Sequence, residues 1–320
     1  MRVVFEHADR LLRRGWDATV VSPDPPPDWY PLESTYRTID LADPSSIPKS
    51  DVAVGTYWTT IRAAIESGAK SVFHFSQGWE GVHPEHAPIL PQIDEVYRLP
   101  IPKLLVSAHL MPVLSERYGC RCHLIGQAID REVFTPGPFR ENPKPLRVGV
   151  IGHWGIRPKG INELLLGLKM TREAGFDIEV LRASAGPYEE GERLLGVTDL
   201  YFQRLTMFEM SLFYRNLDVY LHPSWDEEGF PLPPLEAMAS GVAVGLTPIR
   251  SFAPIPADAA LRFPWNSPES IPPLFEKLFD PAVRRSLREA AFRILPDYTH
   301  DKVIDRLEAA IATEGGPKRG

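Results

Sequence analysis

A chain of 320 residues with 43% hydrophobic and 24% charged side chains is long enough to bury a core in each of two ordinary domains. Its net charge of -7 and isoelectric point near 5.8 give no general pull toward a phosphodiester backbone, so nucleic acid is not an expected partner. No apolar run reaches the ~18 residues of a membrane span and no signal-peptide pattern opens the chain, so the expected compartment is the cytoplasm.

The opening segment MRVVFEHADRLLRRG places Val4, Ala8, Leu11 and Leu12 on one helical face, with His7 on the polar side. A doubly wound domain ordinarily opens on a strand and a glycine-rich turn, so the first strand of this domain is expected to be missing. Arg10, Arg13 and Arg14 lie beside one another on that helix; at ~1 kcal/mol each they would give at most weak peripheral contact with an acidic membrane face. Short β-branched runs then alternate with amphipathic ones, the mark of βα units around parallel sheets. Strands are expected at 17–22, 51–55, 70–76, 103–108 and 122–129, with helices such as 58–68 and 108–119 between them. Cys120 and Cys122 are spaced too tightly for the usual zinc pattern and are read as reduced and structural. His74, in an apolar strand, reads as a core residue or as a site residue, and Gln77 lies just past the strand end.

The run FTPGPFRENPKP, rich in proline, glycine and charge, reads as a linker. The domains are expected at 1–135 and 146–296, with 136–145 between them. The second set opens with the strand 146–152 and the helix 161–175. A strand at 176–183, a helix at 207–216 and strands at 217–223 and 242–247 follow, before a mostly helical tail from Ser267 that ends in an amphipathic 301–312.

Between the last two strands lies EEGFPLPPLEAMASGVAV, which sets Glu228 and Glu236 on either side of a glycine and three prolines. Pro233 and Pro234 suit a first helical turn and Gly241 its end, so Glu228 is expected on the loop at the strand's carboxyl edge and Glu236 in the helix start. That edge is where open α/β sheets bind ligands. A carboxylate there can accept two hydrogen bonds from the vicinal diol of a ribose or hexose. Taken singly, each acid reads as structural, favoured by a helix dipole or lying in a solvated turn; what surrounds the two reverses that reading.

The whole segment LTMFEMSLFYRNLDVYLHPSWDEEGFPLPPLEAMASGVAVGLT resembles the signature of retaining glycosyltransferases of family 4, the glycosyl transferases group 1 domain. His222, Pro223 and Ser224 are followed by Glu228 and, after seven residues, Glu236, as in that pattern. The resemblance implies that Glu228 contacts donor-sugar hydroxyls and that Glu236 binds the nucleotide's ribose. VGVIGHWGIRPKGINELLLGL is similar to the family's phosphate-binding opening, which implies a diphosphate-binding role for Lys159. Arg157 stands two residues before it and His153 occupies the usual arginine position after Gly152, so Arg157 reaches phosphate from a longer loop or is a solvated charge. Gly152, His153, Gly229, Phe230 and Leu235 complete the implied donor set, and Pro231 departs from the family's glycine. His74 and Gln77 fall where the family places acceptor contacts.

The implied architecture is α/β of GT-B type, two facing Rossmann-like domains with the 297–313 helix returning to the first. The implied reaction moves a sugar from a nucleoside diphosphate sugar to a carbohydrate or lipid-linked acceptor hydroxyl with retention, in glycan, cell-envelope or glycolipid synthesis, in the cytoplasm or at the cytoplasmic membrane face. No Asp-x-Asp pair of the metal-dependent kind is present, and neither metal nor cofactor is expected. A nucleotide-sugar epimerase and a catalytically weak nucleotide-sugar-binding protein are the alternatives.

Overall fold

The computed structural model describes residues 2–226 and 228–317, which divide into two compact units, 1–128 with 299–320, and 129–298. Its first described element is helix α1 (Arg2–Arg13). The inward side of α1 is not the face of Val4, Ala8, Leu11 and Leu12: Val3, Phe5, Glu6, His7 and Asp9 are buried and Leu12 is exposed. The reason is that polar groups on this side find partners. The Asp9 carboxylate accepts from the backbone N–H of Glu33 at 3.1 Å and of Ser34 at 2.8 Å.

The first unit then forms β1 (Thr19–Ser22), β2 (Thr35–Thr38), β3 (Val52–Gly55), α2 (Ile61–Glu66), β4 (Ser71–Ser76), α3 (Leu90–Tyr97), β5 (Lys103–Leu105), α4 (Leu110–Tyr118) and β6 (Cys122–Leu124). Among the described residues β1 pairs only with β2, while β3, β4, β5 and β6 line up in chain order as a second parallel sheet.

The opening stretch of the first unit ends at Ala128. The proline-rich run beyond it packs on the second unit. The N–H of Gly137 bonds the Ser240 carbonyl at 2.9 Å and Arg140 pairs with Asp218 at 2.9 Å. This unit runs β7 (Leu146–Ile151), α5 (Ile161–Glu173), β8 (Ile178–Ser184), α6 (Glu190–Leu195), β9 (Leu200–Gln203), α7 (Met207–Arg215), β10 (Val219–His222), α8 (Pro233–Ala239), β11 (Ala243–Leu246), β12 (Leu261–Arg262), α9 (Pro272–Leu278) and α10 (Pro281–Ile294). Leu146, Val148 and Val150 alternate along β7, and their fully buried side chains pack with Leu164, Leu165 and Leu168 of α5. A Thr206–Glu209 capping box starts α7.

The strands of this unit lie in the order β12-β11-β10-β7-β8-β9, all parallel. The chain therefore leaves β7 toward β8 on one side and leaves β10 toward β11 on the other. Between β7 and β10 the order reverses, and such a switch point opens a crevice at the strands' carboxyl ends. The last helix, α11 (His300–Thr313), belongs to the first unit, where Arg14 of the α1 end meets its Asp301 at 3.1 Å, Asp305 at 2.5 Å and Glu308 at 2.9 Å.

Candidate functional site

The two loops that leave β7 and β10 meet at this reversal. Gly160 holds φ at 64°, and a side chain there would lie 2.3 Å from the Pro223 carbonyl, so the turn before α5 rests directly on the backbone after β10. The backbone N–H of Trp225 donates to the Pro158 carbonyl at 2.8 Å and closes the contact. Only a glycine combines that dihedral with that approach.

On this platform the structure joins Lys159 and Glu228 in a direct ion pair, both side chains partly exposed. Glu236 stands on the first turn of α8, 4% exposed, and accepts a hydrogen bond from the Tyr214 hydroxyl of α7 at 2.9 Å. The buried Tyr220 hydroxyl is pushed well above its ordinary range by burial first and then by the charges of Glu236 and Glu228. His222 is held well below its ordinary value by burial and by Lys159. The Lys159–Glu228 pair stands on the loops that leave β7 and β10, and Glu236 on the helix that follows β10.

His222 stays neutral between two hydroxyls, with Tyr220 at 2.7 Å from Nδ1 and Ser224 at 2.9 Å from Nε2. It orients the loop that carries Glu228. Arg182 of β8, wholly buried with Glu192 of α6 at 2.6 Å, donates to the carbonyls of Val150 at 2.9 Å and Gly152 at 3.0 Å. It thus fixes the exit of β7 from behind. Sequence reading missed Tyr214, Arg182 and this histidine network; the polar tyrosine inside an apolar helix was the available signal.

The remaining expected residues divide. Phe230 and Leu235 are buried, Phe230 with its ring 6.0 Å from Phe252 and 5.9 Å from Tyr298. Gly229 lies buried beside them. His153 turns toward the loop after β8, its Nδ1 accepting from the Gly155 N–H at 3.1 Å and its ring lying against Gly186. Arg157 is exposed and lies over the Trp225 ring at 5.3 Å, not on the Lys159–Glu228 pair. Pro233 and Pro234 are the first two residues of α8 and have no N–H, so that helix start offers fewer donors to an anion than its position in the sequence suggests. In the first unit His74 is fully buried with neither ring nitrogen bonded, and Gln77 is partly exposed at the end of β4. His7 is buried, not on a polar face. Arg13 and Arg14 are engaged by carboxylates. Among the described residues no helix is long and apolar enough to cross a membrane, and no group of three or more His, Cys, Asp or Glu side chains could hold a metal ion.

Among curated proteins none matches the chain. Many solved structures share its fold, three of which illustrate the likeness. A sucrose-phosphate synthase from Thermosynechococcus elongatus superposes with a TM-score of 0.75 at 14% identity, over 97% of this chain and 92% of that one. A glycosyltransferase from Rickettsia africae gives 0.72 at 12% identity, over 97% and 94%. HepE of Anabaena, in complex with UDP and glucose, gives 0.68 at 11% identity, over 82% and 78%. The chain is therefore an α/β protein of the GT-B type, and its residues 145–271, which carry both loops of the site, match the model of the family described as glycosyl transferases group 1.

Proposed function

We propose that this chain is a retaining glycosyltransferase that passes a sugar from a nucleoside diphosphate sugar to an acceptor hydroxyl, in glycan, cell-envelope or glycolipid synthesis. One observation carries the reading: Lys159 and Glu228 meet across the sheet's reversal from loops after adjacent strands, with Glu236 on the helix that follows. A cation and a carboxylate that neutralise each other in the free protein become a phosphate donor and a hydroxyl acceptor when a diphosphate draws the lysine away. Lys159 then faces the diphosphate, Glu228 the sugar hydroxyls and Glu236 the ribose diol.

As the bond from the anomeric carbon to the leaving oxygen breaks, its electron pair passes to the diphosphate and Lys159 balances the growing charge. A fixed donor of this kind is typically worth ~2.7–4 kcal/mol. Attack and departure on one face let a leaving-group oxygen take the acceptor's proton, so neither a separate base nor a resident metal enters the scheme. The nucleotide and sugar bound by HepE support a donor of the same class here. On the acceptor side, a carbohydrate or lipid-linked hydroxyl, the exposed part of Gln77 is the proposed contact, while His74 lies behind it in the sheet. The pairing of Arg13 and Arg14 with carboxylates supports a reading of at most weak peripheral membrane contact.

Thermal melting against uridine, guanosine and thymidine diphosphates tests the site. A ligand at about 100 times its Kd stabilises by ~2.7 kcal/mol. Glu236→Ala is expected to abolish that gain, and Glu228→Ala to keep it while sugar transfer falls about a hundredfold or more. Undiminished stabilisation of Glu236→Ala would put the ribose elsewhere, and nucleotide binding with no turnover of any donor sugar would leave a binding protein only.

A further inference from the structure

Far along the chain from these loops, the first unit holds a second group of reactive side chains. Cys122 opens β6 and pairs in register with Lys103, which opens β5 and pairs in turn with His74 of β4. Cys120 precedes the strand. The left-handed Gly119 turns the chain out of α4, and the Cys120 thiol then points back to the Leu114 carbonyl at 3.3 Å. Its Sγ lies 3.7 Å from that of Cys122, and both thiols are free and partly exposed. Lys103 is wholly buried, its Nζ has no hydrogen-bond partner, and the Tyr97 ring lies 5.7 Å away. A buried ammonium without a carboxylate needs compensation from another anion. Here the two thiols are the groups that favour its charge.

We infer that Cys120 and Cys122 form an oxidation site in which the Cys120 thiolate attacks a small hydroperoxide, Cys122 closes an intrachain disulfide on the product, and Lys103 supplies the compensating positive charge. Cys120 takes the first role because it precedes the strand and stands outside the ladder, and Cys122 the second because β6 holds it in register with Lys103. The hydrogen bond between the two sulfurs, with Lys103 assisting, favours one thiolate on the pair. Burial takes Lys103 down to about 8 against the pull of the thiols. The first proton to leave the pair thus gives a nucleophilic sulfur beside one that still carries its proton.

The chemistry balances with a hydroperoxide as the only co-reactant. The Cys120 sulfur takes the terminal oxygen to give a sulfenic acid, and the O–O electron pair leaves on the remaining oxygen, which is protonated. The Cys122 sulfur then displaces water from the sulfenic acid, its own proton going to the departing hydroxide. Two thiols and one hydrogen peroxide yield one disulfide and two waters. The sulfurs must close from 3.7 Å to the ~2.05 Å of a disulfide. Cys120 can move because it stands outside the ladder, whereas β6 is held through its His123 and through Arg121 just before it, both bonded to Glu314 at 2.8 Å.

The chain has only two cysteines, so the intact protein reports directly. Treated with hydrogen peroxide and then alkylated under denaturing conditions, the wild type is expected to lose two hydrogens and both alkylation sites together. Cys122→Ser should stop at a sulfenic acid that dimedone traps on Cys120, and Cys120→Ser should react about tenfold more slowly, since an ordinary thiol is only a few per cent ionised at pH 7. Alkylation of the native wild type by iodoacetamide should inflect at Cys120 below the ordinary ~8.5. Lys103→Met is expected to move that inflection up; should this variant not fold, the wild-type profile alone decides. Equal rates for the two serine variants, oxidation of the wild type only to sulfinic acids or to linked dimers, or a Cys120 inflection near the ordinary ~8.5 would each overturn the assignment.

Discussion

The Tyr214 hydroxyl holds one oxygen of a carboxylate that is almost wholly out of solvent, and a carboxylate so placed loses its aim when that hydrogen bond goes. Tyr214→Phe removes a single oxygen. It is expected to lower stability by about 1 kcal/mol, the usual net worth of such a bond, and to weaken nucleoside diphosphate binding several-fold as Glu236 relaxes. Calorimetric titration beside a melting curve separates the two: a lower melting point with unchanged affinity would make Tyr214 a packing residue only. At this scale the sequence was informative where spacing along the chain decides. Glu228 and Lys159 sit on short loops after strands, and their meeting follows from the strand order. It was uninformative where partners come from other elements. Arg157 could be placed only by the Trp225 ring, and Arg182 only by the carbonyls it finds after β7. The proposed thiol pair depends on a lysine from a neighbouring strand, which no local pattern indicates.

The loop from β7 into α5 depends on an approach between two backbones. Gly160→Ala would place a methyl carbon 2.3 Å from the Pro223 carbonyl and keep a dihedral of 64° that L residues disfavour. Gly175, just after α5, has a comparable φ of 92° with open space around it, so Gly175→Ala measures the dihedral cost alone. That cost is on the order of 1 kcal/mol. Gly160→Ala is expected to exceed it clearly and to weaken nucleoside diphosphate binding as Lys159 is displaced, while Gly175→Ala leaves binding intact. Equal losses in urea unfolding would show that the Pro223 contact yields freely. The long strands and helices were legible because their periodicity is carried by many residues: β7, α5, β10 and α11 were all anticipated from pattern. Elements defined by pairing were not. β2, β9 and β12 have two to four residues and partly exposed patterns, so too little hydrophobic alternation marks them. The inward face of α1 was misread because buried Glu6, His7 and Asp9 look like solvent-facing residues until their partners are known.

At the level of the whole molecule, three buried histidines resist protonation. Burial and His300 bring His7 down to about 4, burial and Lys103 bring His74 to about 3, and His222 is lowered by burial and Lys159. In the unfolded chain each titrates near 6.5. The unfolded state therefore binds protons that the native state refuses, and stability is full above about pH 6.5 and falls as pH drops toward 4, by about 1.4 kcal/mol per pH unit for each group. The carboxyls of Glu80 and Asp218, raised by burial, oppose this trend in part. Urea unfolding at pH 7.5, 6 and 5 should show the loss, and His74→Leu, which replaces an imidazole with no hydrogen bonds, should flatten it; parallel curves would show that His74 does not titrate with unfolding. The division into units has a further effect. The N–H of Ile129 bonds the Tyr298 carbonyl at 3.1 Å, so the second unit is an insertion whose two ends adjoin, set between 1–128 and 299–320. A ribosome releases every residue of the inserted unit before it has made the carboxylates of 301–308 that Arg14 requires. The part of the protein synthesised first is thus the last to be completed: all the strands of its sheets are made by Leu124, yet they must wait in the cell for α11 while the later part folds.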